Sequence, residues 1–268
     1  MRSLLSYWHL SGFMAVFMVF ICLVYFYLVG FRIKRQSVYF FIGLTIIILS
    51  VASPLYFLGE NYLMSAHMTI HVLLLLVAAP LLVLGIPSSV QNKILLRFSE
   101  GISKVPWLPW MSGVCIMWFW HIPAIFNLFY NVQHRYFLEN IHLVSLVLAG
   151  ILFSWPLISP FRKYRMPPLN AVLYLSAACI FCSILGLLIT FAPVGVYTHY
   201  MHIQDRFGFL NLIRNQNGIS VLVDQQISGL IMWVPGCLIY LTASMIILMR
   251  WFRQKNEQNL LLTNKNGN

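Results

Sequence analysis

Seven long apolar stretches alternate with short polar connections along the chain. Each is close to the roughly twenty residues that cross a bilayer as a helix. They lie at roughly 9–31, 38–58, 66–86, 111–130, 138–159, 170–192 and 226–249. The fifth is the most interrupted, with Glu139, Asn140 and His142 near its start. The first is too long for a signal-peptide core and lacks a small-x-small cleavage site, so it reads as a retained anchor. Two connections are long. Residues 87–110 carry Val90, Ile94, Leu95, Phe98 and Ile102 beside Lys93, Arg97 and Lys104, the pattern of a short basic amphipathic helix on a leaflet surface. Residues 193–225 are polar, with Gly195, Gly208 and Gly218, and at that length are either functional or mobile. No inverted repeat of the transporter kind is visible. The pattern predicts an all-α polytopic membrane protein: a bundle of seven transmembrane helices over 1–253, followed by an Asn-rich, disordered tail over 254–268.

Composition strengthens this picture. Hydrophobic residues make up 60% and charged residues 9%, against about 25% charged in a soluble domain. Such a chain cannot clothe itself in polar groups, so the lipid bilayer is its partner. The 17 Lys and Arg outnumber the 6 Asp and Glu, but they fall in small clusters between apolar runs. No continuous basic face exists for nucleic acid. The connections at 32–37, 87–110 and 160–169 and the C-terminal tail hold 3, 3, 3 and 4 of them, or 13; the other connections hold 4. By the positive-inside rule the amino terminus is outside and the carboxyl terminus cytoplasmic, which requires an odd number of spans. The five cysteines all fall in apolar stretches and form no extracellular disulfide framework. Cys179-x-x-Cys182 lies in mid-span without a second pair and reads as small apolar packing.

The histidines bring in chemistry. Seven of the eight fall on the outer side of this topology, His134 in an outer loop among them, and His121 falls near the midplane. Met64-x-x-His67-Met68-x-x-His71 places two imidazoles four residues apart on one helical face, a spacing that can share a metal. Imidazole with the thioethers of Met64 or Met68 favours copper, Cu(I) above all; the plainer alternative is a pair of interfacial residues bonded to backbone. In His121-Ile-Pro123, the proline removes a backbone hydrogen bond, frees the Phe119 carbonyl and bends the span. A modest kink there brings His121 level with His67 and His71 in an outward-facing cavity. Alternatively, His121 merely bonds a freed carbonyl. Glu139-x-x-His142 puts a carboxylate and an imidazole on one face, but the further glutamates of a di-iron bundle are absent. Glu139 orienting a metal-bound His142 stays open. Asp224, at the outer start of the seventh span, either caps its own helix or orients an imidazole. The candidate metal-binding residues are therefore His67, His71, His121, Met68, His142 and Asp224. The aromatic runs Trp107-x-x-Trp110 and Trp118-Phe119-Trp120 read as packing and interface anchors.

Several of these segments resemble the CtaG-type cytochrome c oxidase assembly factors, multispan bacterial membrane proteins associated with caa-type oxidases. They are His67-Met68-x-x-His71 running on to Pro80, Gly85 and Pro87; Trp118-Phe119-Trp120-His121-Ile-Pro123; Ala149-Gly150 to Trp155-Pro156; and Asp224-Gln225-Gln226-x-x-Gly229 to Trp233-x-Pro235-Gly236. The resemblance covers about 65–250. It implies an assembly role in the bacterial plasma membrane, with cytochrome c oxidase subunits as partners and copper delivery or insertion as the chemistry. Two other classes stay open on the residues: a haem-binding electron carrier with His71 and His121 or His142 as axial ligands, and a small-solute transporter. A second copy of the chain also stays open as a partner. A retinal photoreceptor is excluded, because no span contains a lysine for a Schiff base. No nucleophile, base and carboxylate set is assignable by spacing, so the chain is read as non-enzymatic.

Overall fold

A computed structural model describes residues 6–31, 33–131 and 135–266. His134, and Arg2 and Arg32 of the charge count, lie outside the described residues. Among the described residues the structure is helical throughout, without strands. Five helices are long and apolar enough to cross a membrane, and two bent helix pairs bring the number to seven if each pair is one span. Helix α1 is Gly12–Val29; Ser11 caps its start, and Gly30, at φ 68°, ends it in the left-handed region that glycine tolerates. Helices α2 (Ser37–Ala52) and α3 (Pro54–Asn61) meet at 46°, with Ser53 capping α3 ahead of Pro54. The third element is α4 (Met64–Val72), a π-helical turn (Leu73–Ala78) and α5 (Ala79–Leu84) in one continuous rod. In the π turn the Ala79 N–H reaches back five residues to the Leu74 carbonyl. Pro80, which has no N–H to offer, follows directly.

Helix α6 (Lys93–Lys104) is the expected amphipathic helix, capped by Asn92. Its Leu95 and Ile102 pack on Trp155 rather than facing lipid, and the Trp155 indole donates to Ser99 Oγ at 3.0 Å. Helices α7 (Trp107–His121) and α8 (Pro123–Asn131) bend by 64°, a break and not the modest kink that a lone proline predicts. The Phe119 carbonyl is not freed either; it accepts from Ile122 N at 3.3 Å. Helices α9 (Arg135–Ile158), α10 (Pro168–Phe191) and α11 (Val221–Asn266) complete the bundle. The tail expected to be disordered from 254 carries on α11 as far as Asn266. No proline or glycine interrupts that stretch, and Arg253 and Glu257 pair across one turn at 3.0 Å.

The rod of α4, π turn and α5 is the centre of the bundle. It packs on α2, α3, α9 and α11, and 67% of its apolar stretch is buried, against 17% for α1. Two glycine positions allow backbones to approach as small residues do between membrane helices. A Cβ on Gly150 of α9 would stand 2.6 Å from Leu75 O and from Ala79 Cβ, and one on Gly229 of α11 would stand 2.4 Å from Gly186 O of α10. The cysteines pack rather than cross-link. Cys182 Sγ meets the Met232 carbonyl, and the near neighbour of Cys179 is Cys237 of α11, 2.9 Å away.

Residues 193–220 form a lid over one end of this bundle. Tyr197 donates to His121 O at 3.1 Å, Tyr200 to Gly59 O at 2.6 Å, and Asp205 accepts from the Tyr62 hydroxyl and from three backbone N–H groups. Tyr62, Phe209 and Ile213 form a small apolar core beneath it. The connection, read from sequence as either mobile or functional, is packed against the bundle by these contacts.

Candidate metal centre

Helix α4 buries two imidazoles among Met64, Ala66, Met68, Ile70 and Val72. His67 and His71 lie one turn apart on it and both point inward, with His71 only 1% exposed. His142 enters from α9, and one ring nitrogen from each of these three imidazoles lies within 4.8 Å of the others. Ring centroids are 4.4 Å apart for His67 and His71, 4.6 Å for His71 and His142, and 5.3 Å for His67 and His142. His121, the last residue of α7 before the break, flanks the trio, with its ring 4.9 Å from that of His71. Trp120 and Phe129 cover His142, and Phe126 covers His67. These walls are aromatic.

Polar accounting distinguishes this cluster from a hydrogen-bonded core. Among the described residues five buried side-chain nitrogen or oxygen atoms have no partner, and three of them are His71 Nδ1, His71 Nε2 and His142 Nε2. Each orphan of this kind costs about 1–3 kcal/mol of desolvation. Three neutral imidazoles around one ion with bonds of about 2.0–2.1 Å would hold their nitrogens about 3.5 Å apart. Small side-chain rotations from the observed spacing reach that value. His121 adds a softer corner. Its Nδ1 lies 2.5 Å from the Met117 carbonyl, which can only accept, so Nδ1 carries the hydrogen. In the neutral ring Nε2 then turns a lone pair to Met68 Sδ, 2.9 Å away, itself a lone-pair donor. Imidazole and thioether side by side form a donor set suited to a soft metal.

The sequence-predicted residues sort clearly. His67, His71, His121, His142 and Met68 come together, although the tight trio takes in His142 where spacing had suggested His121. Met64 is buried at the start of α4. Asp224 does not join them. Oδ2 accepts from Met64 N at 2.8 Å, and Oδ1 accepts from Ser65 N at 3.1 Å and Ser65 Oγ at 2.6 Å. It therefore caps α4 from α11, while Ser220 caps α11 itself through Val223 N. Gln225 beside it binds the last carbonyls of α10, Ile189 O and Ala192 O. The Asp-Gln pair thus fixes the histidine helix and its neighbour in position.

Nor does Glu139 orient His142; it bonds Arg135 at 2.6 Å. The carboxylate beside an imidazole is Glu60 of α3, 6% exposed, with Oε1 3.4 Å from His67 Nδ1 and Oε2 2.7 Å from Arg135 Nη2. Tyr130 approaches His67 Nδ1 from α8, also at 3.4 Å. Above them His199 of the lid stacks on Tyr130 at 3.7 Å, with Nε2 3.0 Å from the Glu60 carbonyl. Burial pushes its pKa down to about 4 against the pull of that carbonyl, and the Arg135 charge lowers it further. Glu60, Arg135, Tyr130, Trp120 and His199 escape sequence reasoning as members of the site. The one available signal is the i, i+4 spacing of Arg135 and Glu139.

Fold and site define a multi-pass membrane protein with a cluster of imidazoles and a thioether buried near one end of its helices. Residues 24–254 match the sequence model of the cytochrome c oxidase caa3 assembly factors, and the chain belongs to that family. No curated protein and no solved structure matches it.

Proposed function

We propose that this protein handles copper during maturation of a cytochrome c oxidase, binding Cu(I) at His67, His71 and His142 with Met68 and His121 alongside. The observation that carries the reading is the pair of ring nitrogens on His71, buried and without partners among two further imidazoles. A fold does not retain such orphans for stability. Neutral imidazoles and a thioether favour copper over harder ions. The ring centroids at 4.4–4.9 Å about His71 leave no slot for a porphyrin between candidate axial ligands, which favours a single ion over haem. The protein holds and passes on its cargo without a catalytic step of its own.

In the same reading the chain crosses the bacterial plasma membrane seven times, with each bent pair as one span and the amino terminus outside. The basic helix α6 docks at the C-terminal end of α9, while His142 and Arg135 sit at its opposite end. By the positive-inside rule the copper cluster then faces outward. A reporter at Asn268 reads cytoplasmic and one near Gly208 external. The decisive experiment is metal analysis of the purified protein with His71→Leu and His142→Ala beside it. The native protein carries about one copper per chain and the variants none. A native protein that takes up no copper, or a His71→Leu protein that supports normal oxidase maturation, removes the proposal.

A further inference from the structure

Helices α7 and α10 part at both ends of their seam. Between the partings Phe181 of α10 meets Trp110 of α7 edge-on at 5.2 Å. The cleft beside His121 and Pro123 holds 650 Å³ and has no Lys, Arg, Asp or Glu in its walls. The other, of 500 Å³, opens at the end where α7 and α10 begin. Its walls are mostly apolar, with Trp107 and Trp110 from α7 and Leu173 and Ala177 from α10, and its mouth carries Arg165 and Asn170. We propose that this second cleft binds one anionic phospholipid, with Arg165 on the headgroup phosphate and an acyl chain lying between the tryptophans and α10. The site is independent of the copper reading.

The charge at the mouth has no match within the protein. Arg165 is half-buried, and its Nε donates to the Ser159 carbonyl at 2.7 Å, which fixes the side chain. Its terminal nitrogens have no acceptor among the described residues. Burial pushes its pKa down, and the charges of Arg162 and Arg250 lower it further, yet a guanidinium stays charged at neutral pH. The two carboxylates at this end, Glu100 and Glu257, are taken by Lys104 and Arg253 at 2.9 and 3.0 Å. Three guanidiniums are thus left to an anion from outside, and a guanidinium fits phosphate with two parallel hydrogen bonds. The cleft decides which anion. Trp107 is 64% and Leu173 69% exposed, an apolar wall that a free phosphate would leave bare. Ala177 lies about 10 Å beyond Asn170 along α10, at 1.5 Å per residue, so the wall descends from headgroup level into the hydrocarbon. The Trp110 indole N–H donates to Tyr174 O at 3.1 Å, so its polar atom is satisfied and its ring is left for the chain. Basic pockets between membrane helices select anionic headgroups in this way, and tryptophan gathers at the same depth.

The test titrates the full chain, delipidated in detergent, with an equimolar mixture of phosphatidylglycerol and phosphatidylcholine. Native mass spectrometry weighs the adducts. The native chain takes up one phosphatidylglycerol ahead of any phosphatidylcholine, and excess inorganic phosphate does not displace it. Arg165→Gln lowers the ratio of bound phosphatidylglycerol to phosphatidylcholine about fivefold. Arg162→Gln alters an exposed side chain that makes no hydrogen bond, so it tests the charge without risk to the fold; it lowers the same ratio by less. Ala177→Phe fills the cleft and reduces the uptake of both lipids together. A native chain with no preference between the lipids, or native ratios in both arginine variants, overturns the site. Displacement by inorganic phosphate overturns it in favour of a plain anion site. A lipid-free dimer that Ala177→Phe dissociates overturns it in favour of an interface between two copies of the chain.

Discussion

The two polar clusters at this end of the bundle meet at His67, which Glu60 and Tyr130 both approach, yet follow opposite rules. In the carboxylate cluster the polar groups are partnered: Arg135 binds Glu60 and Glu139 together, and His199 and Tyr200 of the lid bond the Glu60 and Gly59 carbonyls. In the imidazole cluster three ring nitrogens are left over. A buried charge pair, once broken, leaves an uncompensated ion, whereas a buried orphan, once removed, relieves a cost. Matched groups hold the fold together. Unmatched groups, on the proposed reading, are tolerated for what they bind, and the matched ones beside them supply the stability.

That contrast predicts an order of effects on the copper-free protein, read by thermal unfolding in detergent. Arg135→Ala heads it, with a loss of about 3–5 kcal/mol from Glu60 stranded in the interior; an unchanged midpoint would mean that the pairing is decorative. Acidification comes next. The pKa of His199 is about 4 in the fold and about 6.5 in the unfolded chain, so its share of stability is intact above pH 6.5 and drains as pH falls toward 4. By pH 5 the share lost is at most about 2 kcal/mol. His199→Gln, which keeps a donor for the Glu60 carbonyl, flattens the decline; an equally steep decline in that variant would assign the titration to Glu139 or to one of the buried imidazoles instead. Asp224→Ala follows at about 1–2 kcal/mol, since it uncaps Met64 N and Ser65 N. His71→Leu comes last: it leaves stability unchanged or raises it by up to about 1 kcal/mol while abolishing copper binding. A large destabilisation by His71→Leu would show His71 to be structural and collapse the distinction.

The legible and illegible parts of this molecule differ for a physical reason. Helix positions follow from the cost of placing polar groups in lipid, a sum over local residues, so each apolar stretch coincides with a helix or bent pair, with edges shifted by a few residues except at the end of α11. His67, His71 and Met68 share one helix and were readable by spacing alone. Which helix would complete their set was not. His121 and His142 are both polar residues in apolar runs, and only the packing of α9 on the central rod selects His142 for the trio. Asp224 illustrates the same limit. Its sequence context advertises a cap, but the helix it caps begins at Met64, 160 residues earlier. Glu60 and Arg135 looked like ordinary residues at span ends because their value lies in each other, across 75 positions.

The π turn at Leu73–Ala78 sets the angular phase of the central rod. A regular α-helix turns about 100° per residue, so one residue more or fewer between His71 and Leu82 rotates one half against the other by that much. Both halves are clamped, the Met64 half by Asp224 and the other by Gly150 against Leu75 and Ala79. The wide turn absorbs the difference between two fixed settings, much as a vernier does. Deleting Leu74 would restore an unbroken α ladder, and the two clamps could then no longer hold together: either Asp224 loses its helix start or the imidazoles swing away from His142. The imidazoles of α4 are thus aimed by a turn that contains none of them.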